Sequence, residues 1–417
     1  MVSNMELTKP QKLIYDMEKF AGGSIAVICG SMLVKGNMEI SVLQHAANEL
    51  YRLNDALRIK IREADGKPYQ EIIEYKEQDI PVLRFDSKAE LDFYADKYAK
   101  KPLVLFGNLF EISIVLLPDN YGILVKQHHI IGDAWTISLI GNQFITILNG
   151  DTPIAYSYDD YIESERKYLN SNRYTKDRDY FIKQFIKCDE VTYLSDNQSG
   201  SFSAARKTFV IDKAKAKDIS EYVRRKNTSA FMLFTAVLAT YINRIKMNTE
   251  RFYIGTAVLN RSGVKEKNTM GMFINTVPML IELDNSKSFS NNLSSVQSTV
   301  FSILRHQKYN YGDLLSSIRK DYGFSEKLYD VVISYQNATI GAAKVETTWY
   351  FSGMQTESLQ VHIDDRDNEG IFCIHYDYLC DSFTENEIDL LHKHILNLLL
   401  DAIKDDSIKL FELMLLT

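Results

Sequence analysis

Apolar and polar residues switch along this chain between a helical period and a strand period, and the switches mark out its elements. Leu13, Ile14 and Met17 recur at helical spacing after Thr8-Lys9-Pro10-Gln11, which predicts a capped first helix with proline in its opening turn. Residues 24–33 read as a strand. Ile40, Leu43, Ala47 and Leu50 share one face of a helix over 40–52. Segments 57–61 and 69–73 pair as a hairpin around Ala64-Asp65-Gly66. Segments 110–117 and 121–127 form a second hairpin around Pro118-Asp119-Asn120. A helical pattern from Trp135 to Leu148 then closes a first α/β lobe.

From 158 to 187 the chain is charged and helical, which suits a bridge, and 195–201 is a polar loop. A second run follows, with a strand at 208–211 and a helix at 214–225. The helix over 229–245 carries Phe231, Phe234, Val237, Leu238 and Tyr241 nearly all round, so it is buried. Strands at 252–258, 329–335 and 371–378 precede a helix over 385–403. No sequence repeat is visible, yet both halves alternate strands and helices. The expected fold class is α/β (α+β), in two lobes spanning 1–172 and 173–417. A length of 417 residues also exceeds one ordinary core.

Composition narrows the function. A net charge of −7 argues against a nucleic-acid partner. No 18-residue apolar run offers a membrane span, and the N-terminus lacks the pattern of a signal peptide, so a cytoplasmic monomer is expected. Cys29, Cys188, Cys373 and Cys380 are scattered and read as free thiols rather than metal ligands.

Candidate chemistry concentrates in His128-His129-Ile130-Ile131-Gly132-Asp133-Ala134-Trp135, at the mouth of the apolar run 121–127. Neighbouring strand residues point to opposite faces, so one imidazole enters a cavity and the other is a buried support. Asp133 opens the following helix, where an N-cap is the plain alternative to a catalytic role. A zinc site would need a third ligand, and His306, His362 and His375 stand at no recognisable spacing.

The stretch resembles the His-His-x-x-x-Asp-Gly motif of nonribosomal peptide synthetase condensation domains, within the chloramphenicol-acetyltransferase-like superfamily. Further segments agree in order: Thr8 to Tyr15 with the opening helix, Asn54 to Arg58 with His-Glu-x-Leu-Arg, and Tyr158 to Tyr161 with Tyr-x-Asp-Tyr. Asn260-Arg261 and Gly271 to Pro278 are similar to an Asn-Arg and Gly-x-Phe-Val-Asn-Thr pair, and His306 to Tyr309 to His-Gln-Asp-Tyr. Heterocyclisation domains replace the histidines by aspartates, and epimerisation domains lack Phe-x-Asn-Thr, so condensation is the better match. Two positions depart: Ala134 replaces a usual Gly, and Leu280 replaces an Arg that would pair with the motif Asp, so either Arg58 or Arg261 pairs with Asp133 or the salt bridge is missing.

The resemblance implies two acetyltransferase-like lobes in a V-shaped pseudo-dimer. It implies an amide-forming acyltransferase that joins a donor acyl thioester to the amine of a carrier-bound aminoacyl group. His129 is then the catalytic residue, as hydrogen-bond acceptor or as general base. His128, Gly132 and Asp133 support the motif, with Gly132 and the first helical amides facing the thioester oxygen. Asn275, Gln307 and Tyr309, with Arg58 and Arg261, become tunnel or supporting residues. No intrinsic cofactor or metal is implied; phosphopantetheine thioesters on carrier proteins, or CoA, are substrates, and an adjoining adenylation domain is expected. Residues 1–7 are too short for a docking helix, which favours a chain-initiating domain fed by acyl-CoA or an acyl carrier protein. A free-standing CoA-dependent acyltransferase and a non-catalytic recruitment domain of the same fold remain alternatives.

Overall fold

The computed structural model describes residues 5–415 except 24, 196, 198–199, 337–339, 341–344 and 366–369. Residue 24 of the strand expected at 24–33, residues 196 and 198–199 of the loop expected at 195–201, and both ends of the chain therefore lie outside the described residues. Two compact units form. The first comprises residues 1–171, 259–274 and 338–354; the second comprises 172–258, 275–337 and 355–417. A single cut at 172/173 therefore does not separate the two units, because two later segments pack with the first.

The first unit is built on a five-stranded sheet. Its order is Val345–Tyr350, Val27–Lys35, Asn120–His128, Phe110–Leu116 and Val82–Arg84. The central strand Asn120–His128 is buried at every position after Asn120, because both of its faces are covered. The helices Ile40–Leu53 and Ala134–Leu148 pack together, and Leu43, Ala47, Leu50, Ile140 and Phe144 join one core with the strand residues Ile112, Ile114 and Ile123. Helix Lys88–Ala99 lies against strand Val27–Lys35. A smaller three-stranded sheet pairs Met5–Glu6 with Lys67–Ile72 and the latter with Ile59–Ala64. Its hairpin is tighter than expected, since Asp65 (φ 50°) and Gly66 (φ 72°) alone make the turn.

The second unit carries a six-stranded sheet, ordered Asn275–Glu282, Arg251–Val258, Val331–Gln336, Leu359–Asp364, Phe372–Leu379 and Ala204–Ile211. Helix Ala230–Ile245 is buried along most of its length, as its all-round apolar pattern requires. Helices Phe289–His306 and Glu385–Lys404 pack against it. Among the described residues, no helix is long and apolar enough to cross a membrane.

Candidate active site

The two motif histidines part company where the strand ends. His128 is the last residue of Asn120–His128 and is fully buried; its Nδ1 accepts the Ile130 N–H at 3.1 Å. The proton therefore sits on Nε2, which faces the Glu18 carboxylate at 3.5 Å. Glu18 is itself buried and accepts the Ile25 and Ala26 amides at 2.7 and 2.9 Å. Glu18 escapes motif reading, but it falls on the apolar stripe of the first helix with Gln11, Ile14 and Tyr15, all buried. A carboxylate on such a stripe asks for a partner.

His129 opens a 3-10 turn, His129–Ile131, and is partly buried. Its Nδ1 stands 3.2 Å from the Met272 sulfur. A thioether has no proton to give, so a hydrogen bond here requires Nδ1–H as the donor and leaves the lone pair on Nε2. Burial pushes this imidazole below its ordinary pKa, against the opposing pull of the Asp133 charge. The ring is neutral at pH 7 and presents an acceptor nitrogen.

Asp133 caps helix Ala134–Leu148: its Oδ1 accepts the Thr136 amide at 2.9 Å. Arg261 Nη2 lies 3.1 Å from both carboxylate oxygens, with both side chains fully buried. Oδ2 also accepts the Phe273 and Ile274 amides at 3.1 and 3.3 Å. Asn260 turns the chain here in the left-handed region (φ 52°), which Asn tolerates, and its side-chain amide holds the Phe273 carbonyl at 2.9 Å. The Arg261 guanidinium stacks over the Phe273 ring at 3.8 Å and donates to the carbonyls of Glu266, Thr269 and Gly271. Asp133 thus gathers the motif loop and the segment 259–274 into one buried network, which also carries Met272 to His129.

The pieces resembling other family elements support this network. Gln11 donates to the Ile130 carbonyl at 3.1 Å and exchanges amide hydrogen bonds with Gln70. The Tyr158 hydroxyl donates to the Met272 carbonyl at 2.8 Å. Gly271, at φ 147°, is required here because a Cβ would overlap the Tyr158 ring.

The remaining candidate residues take other places. Arg58 does not meet Asp133; it donates to the carbonyls of Tyr51, Arg52, Asn54 and Ile73, closing the end of helix Ile40–Leu53. The Gly132 amide does not face an open site, since it donates to the His129 carbonyl at 3.3 Å. Gly132 is instead demanded by space: a Cβ would come within 2.7–2.9 Å of Gln127 and Thr136. Ala134 strains nothing, because it begins the helix outside the left-handed region. Asn275, Gln307 and Tyr309 belong to the second unit, where Asn275 Nδ2 pins the Gln307 and Tyr309 carbonyls at 3.0 and 2.7 Å. His306, His362 and His375 meet Asp177, Asp377 and Asp364, respectively.

Solved structures share this architecture over nearly the whole chain. The starter condensation domain of rhizomide synthetase, in complex with C8-CoA, superposes with a TM-score of 0.87 at 19% identity, covering 99% of this chain and 98% of that one. The first condensation domain of the calcium-dependent antibiotic synthetase gives 0.85 at 16% identity, covering 100% and 99%. The fold is therefore the two-lobed chloramphenicol-acetyltransferase-like class. Residues 2–417 match the family model of the condensation domain, and the chain belongs to that family of nonribosomal peptide synthetase domains. Surfactin synthase subunit 1 of Bacillus subtilis (strain 168) is 29% identical over 99% of this chain, and bacitracin synthase 3 of Bacillus licheniformis is 25% identical over 82%. The chain spans only 12% and 6% of those proteins' lengths.

Proposed function

We propose that this domain forms an amide bond between a donor acyl thioester and the amine of a carrier-bound aminoacyl group. The observation that carries the reading is His129, with Nδ1–H engaged by Met272 and a depressed pKa that keeps Nε2 an acceptor. The acceptor amine attacks the thioester carbonyl, and its N–H hydrogen-bonds to Nε2. As the C–N bond forms and the C–S bond breaks, the amine proton passes by way of that imidazole to the departing thiolate. A weakly basic ring does not retain the proton, so hydrogen-bond acceptance and transfer suit it better than storage as imidazolium. Holding amine and thioester together supplies much of the acceleration.

The donor in this reading is an acyl-CoA or an acyl carrier thioester, which makes the domain chain-initiating. Likeness to a starter condensation domain that holds C8-CoA supports that assignment. Carrier proteins and an adjoining adenylation domain are the partners. The test is intact mass spectrometry of an aminoacyl-loaded carrier after incubation with acyl-CoA, or with a peptidyl carrier. A mass gain equal to the acyl group is expected with acyl-CoA; reaction with the peptidyl carrier alone overturns the initiating role.

A further inference from the structure

The strand that leads into the motif buries a lysine. Lys126 stands two residues before His128 on Asn120–His128 and is 2% exposed. Successive side chains alternate between the faces of a strand, so Lys126 shares a face with Leu124. Leu124 packs there with Leu33, with Leu91 and Ala95 of helix Lys88–Ala99, and with Cys29. An ammonium in such a layer calls for a counter-charge. Glu111 stands opposite Lys126 on the neighbouring strand, but its carboxylate accepts a hydrogen bond from the Tyr98 hydroxyl. Among the described residues Lys126 forms no ion pair and no hydrogen bond; its ammonium rests over the Tyr98 ring, 4.4 Å from the centroid.

On its other side Lys126 faces Cys29, its register partner on strand Val27–Lys35. Cys29 is a free thiol and is 1% exposed. Residues directly opposite in an antiparallel pair hold their Cβ atoms about 4.5–5.5 Å apart. The flexible four-carbon stem of lysine brings its nitrogen within reach of a sulfur at that range. Each of the two groups acts electrostatically on the other, and burial drives both towards uncharged forms: the thiol is pushed up to about 12, and the amine falls below its ordinary value. An amine and a thiol thus share a layer closed to bulk water, with the Tyr98 ring as the amine's other neighbour.

We infer that Lys126 and Cys29 form a cross-linking site, at which one oxygen atom joins the lysine nitrogen to the cysteine sulfur. The oxidant is molecular oxygen, which is small and apolar enough to enter the packed layer. One N–H bond and the S–H bond break, and an N–O bond and an O–S bond form. The second oxygen atom leaves as water with those two hydrogens. Nitrogen and sulfur each give up two electrons, the four that dioxygen takes. Excess dithiol reverses the step by attack on the sulfur, returning amine, thiol and water. The link is therefore a reversible state of the thiol, unlike a sulfinic acid. It ties Val27–Lys35 to Asn120–His128 next to the pair formed by Val27 and His128, so the strand that carries the motif is the one held.

The experiment is mass spectrometry of the intact wild-type chain, reduced with dithiothreitol, freed of it, and then kept in oxygen-saturated or oxygen-free buffer. Oxygen should add about 14 Da, one oxygen gained and two hydrogens lost, and dithiothreitol should remove the gain. A tryptic digest made without reduction should hold the Cys29 and Lys126 peptides as one species, uncut after Lys126. The gain should persist in a chain carrying Cys188→Ser, Cys373→Ser and Cys380→Ser, which leaves no second thiol for a disulfide within the chain. Cys29→Ala and Lys126→Met should each abolish it. An addition of about 16 or 32 Da confined to the Cys29 peptide is ordinary thiol oxidation and overturns the cross-link. A folded wild type that stays unchanged in oxygen overturns it equally.

Discussion

Asp133 and Arg261, 128 residues apart in sequence, form a fully buried ion pair in which one guanidinium nitrogen spans both carboxylate oxygens. Breaking such a pair from one side leaves an uncompensated buried charge, at about 3–5 kcal/mol. Asp133→Asn and Arg261→Met should each lower the melting temperature and the condensation rate together. The double variant should lose less than the sum of the two, since the partners share one interaction. Stability unchanged in Asp133→Asn, with activity lost, would point to direct participation of Asp133 in the chemistry.

The histidines should separate by phenotype. His129→Ala is expected to fold normally and to lose at least about a hundredfold in amide formation. His128→Ala strips the Ile130 amide of its acceptor and opens a cavity beside Glu18, so it should cost stability of about 2–4 kcal/mol. Thermal melts and single-turnover rates on both proteins decide the matter. A soluble His129→Ala protein that condenses at the wild-type rate would sink the assignment.

Met272 offers a finer test. Met272→Leu nearly conserves volume yet removes the sulfur that accepts from His129 Nδ1–H. The rate should fall about 2- to 12-fold, the equivalent of a lost hydrogen bond of about 0.5–1.5 kcal/mol, while the melting temperature holds. An unaltered rate would mean that the tautomer is held by something else.

The pH dependence follows from the direction of the His129 shift. Burial lowers its pKa, so the acceptor form persists below the ordinary histidine value of about 6.5 and is lost only at lower pH. Single-turnover rates should stay flat from pH 8 to about 6.5 and decline on the acid side of that range. A limb centred above about 7 would contradict the buried, neutral ring.

Stability should carry its own acid signature in the second unit. His392 stacks on Phe209 at 3.8 Å, and burial pushes its pKa down to about 4, against the pull of Asp389. The unfolded chain takes up this proton near pH 6.5, while the folded protein resists until about 4. Stability is therefore present above the unfolded value and declines as pH falls between the two. Urea midpoints at pH 7 and 5 should differ less in His392→Phe than in wild type.

Helices with a clear period were legible in the sequence to within a residue or two. The helix read from Trp135 to Leu148 is Ala134–Leu148, and the one read over 385–403 is Glu385–Lys404. The sequence pattern does not mark strand Asn275–Glu282, and Pro278 within it argues against ladder pairing. The sheet tolerates it because that strand forms an edge. Nor does the pattern mark helices Phe289–His306 and Tyr311–Tyr322, whose apolar residues are interspersed with serine and asparagine. At the site, motif order located the histidines and Asp133, and left Arg58 and Arg261 as equal candidates for the partner. The choice depends on where Asn260 turns the chain, which is a tertiary outcome that no local pattern encodes. Glu18 and Met272 were legible only as an odd carboxylate and an ordinary apolar residue.

Because residues 259–274 and 338–354 also belong to the first unit, its assembly cannot finish when its longest continuous stretch leaves the ribosome. Translation at about 5–20 residues per second separates Asp133 from Arg261 by about 6–26 seconds. During that interval a carboxylate destined for the interior has no cation, and the amides of Phe273 and Ile274 that it will accept have not been made. Burial of the motif is thus a late event of biosynthesis. A ribosome-bound chain halted between residues 171 and 259 should keep the His128-His129 turn open to solvent and exposed to chaperones.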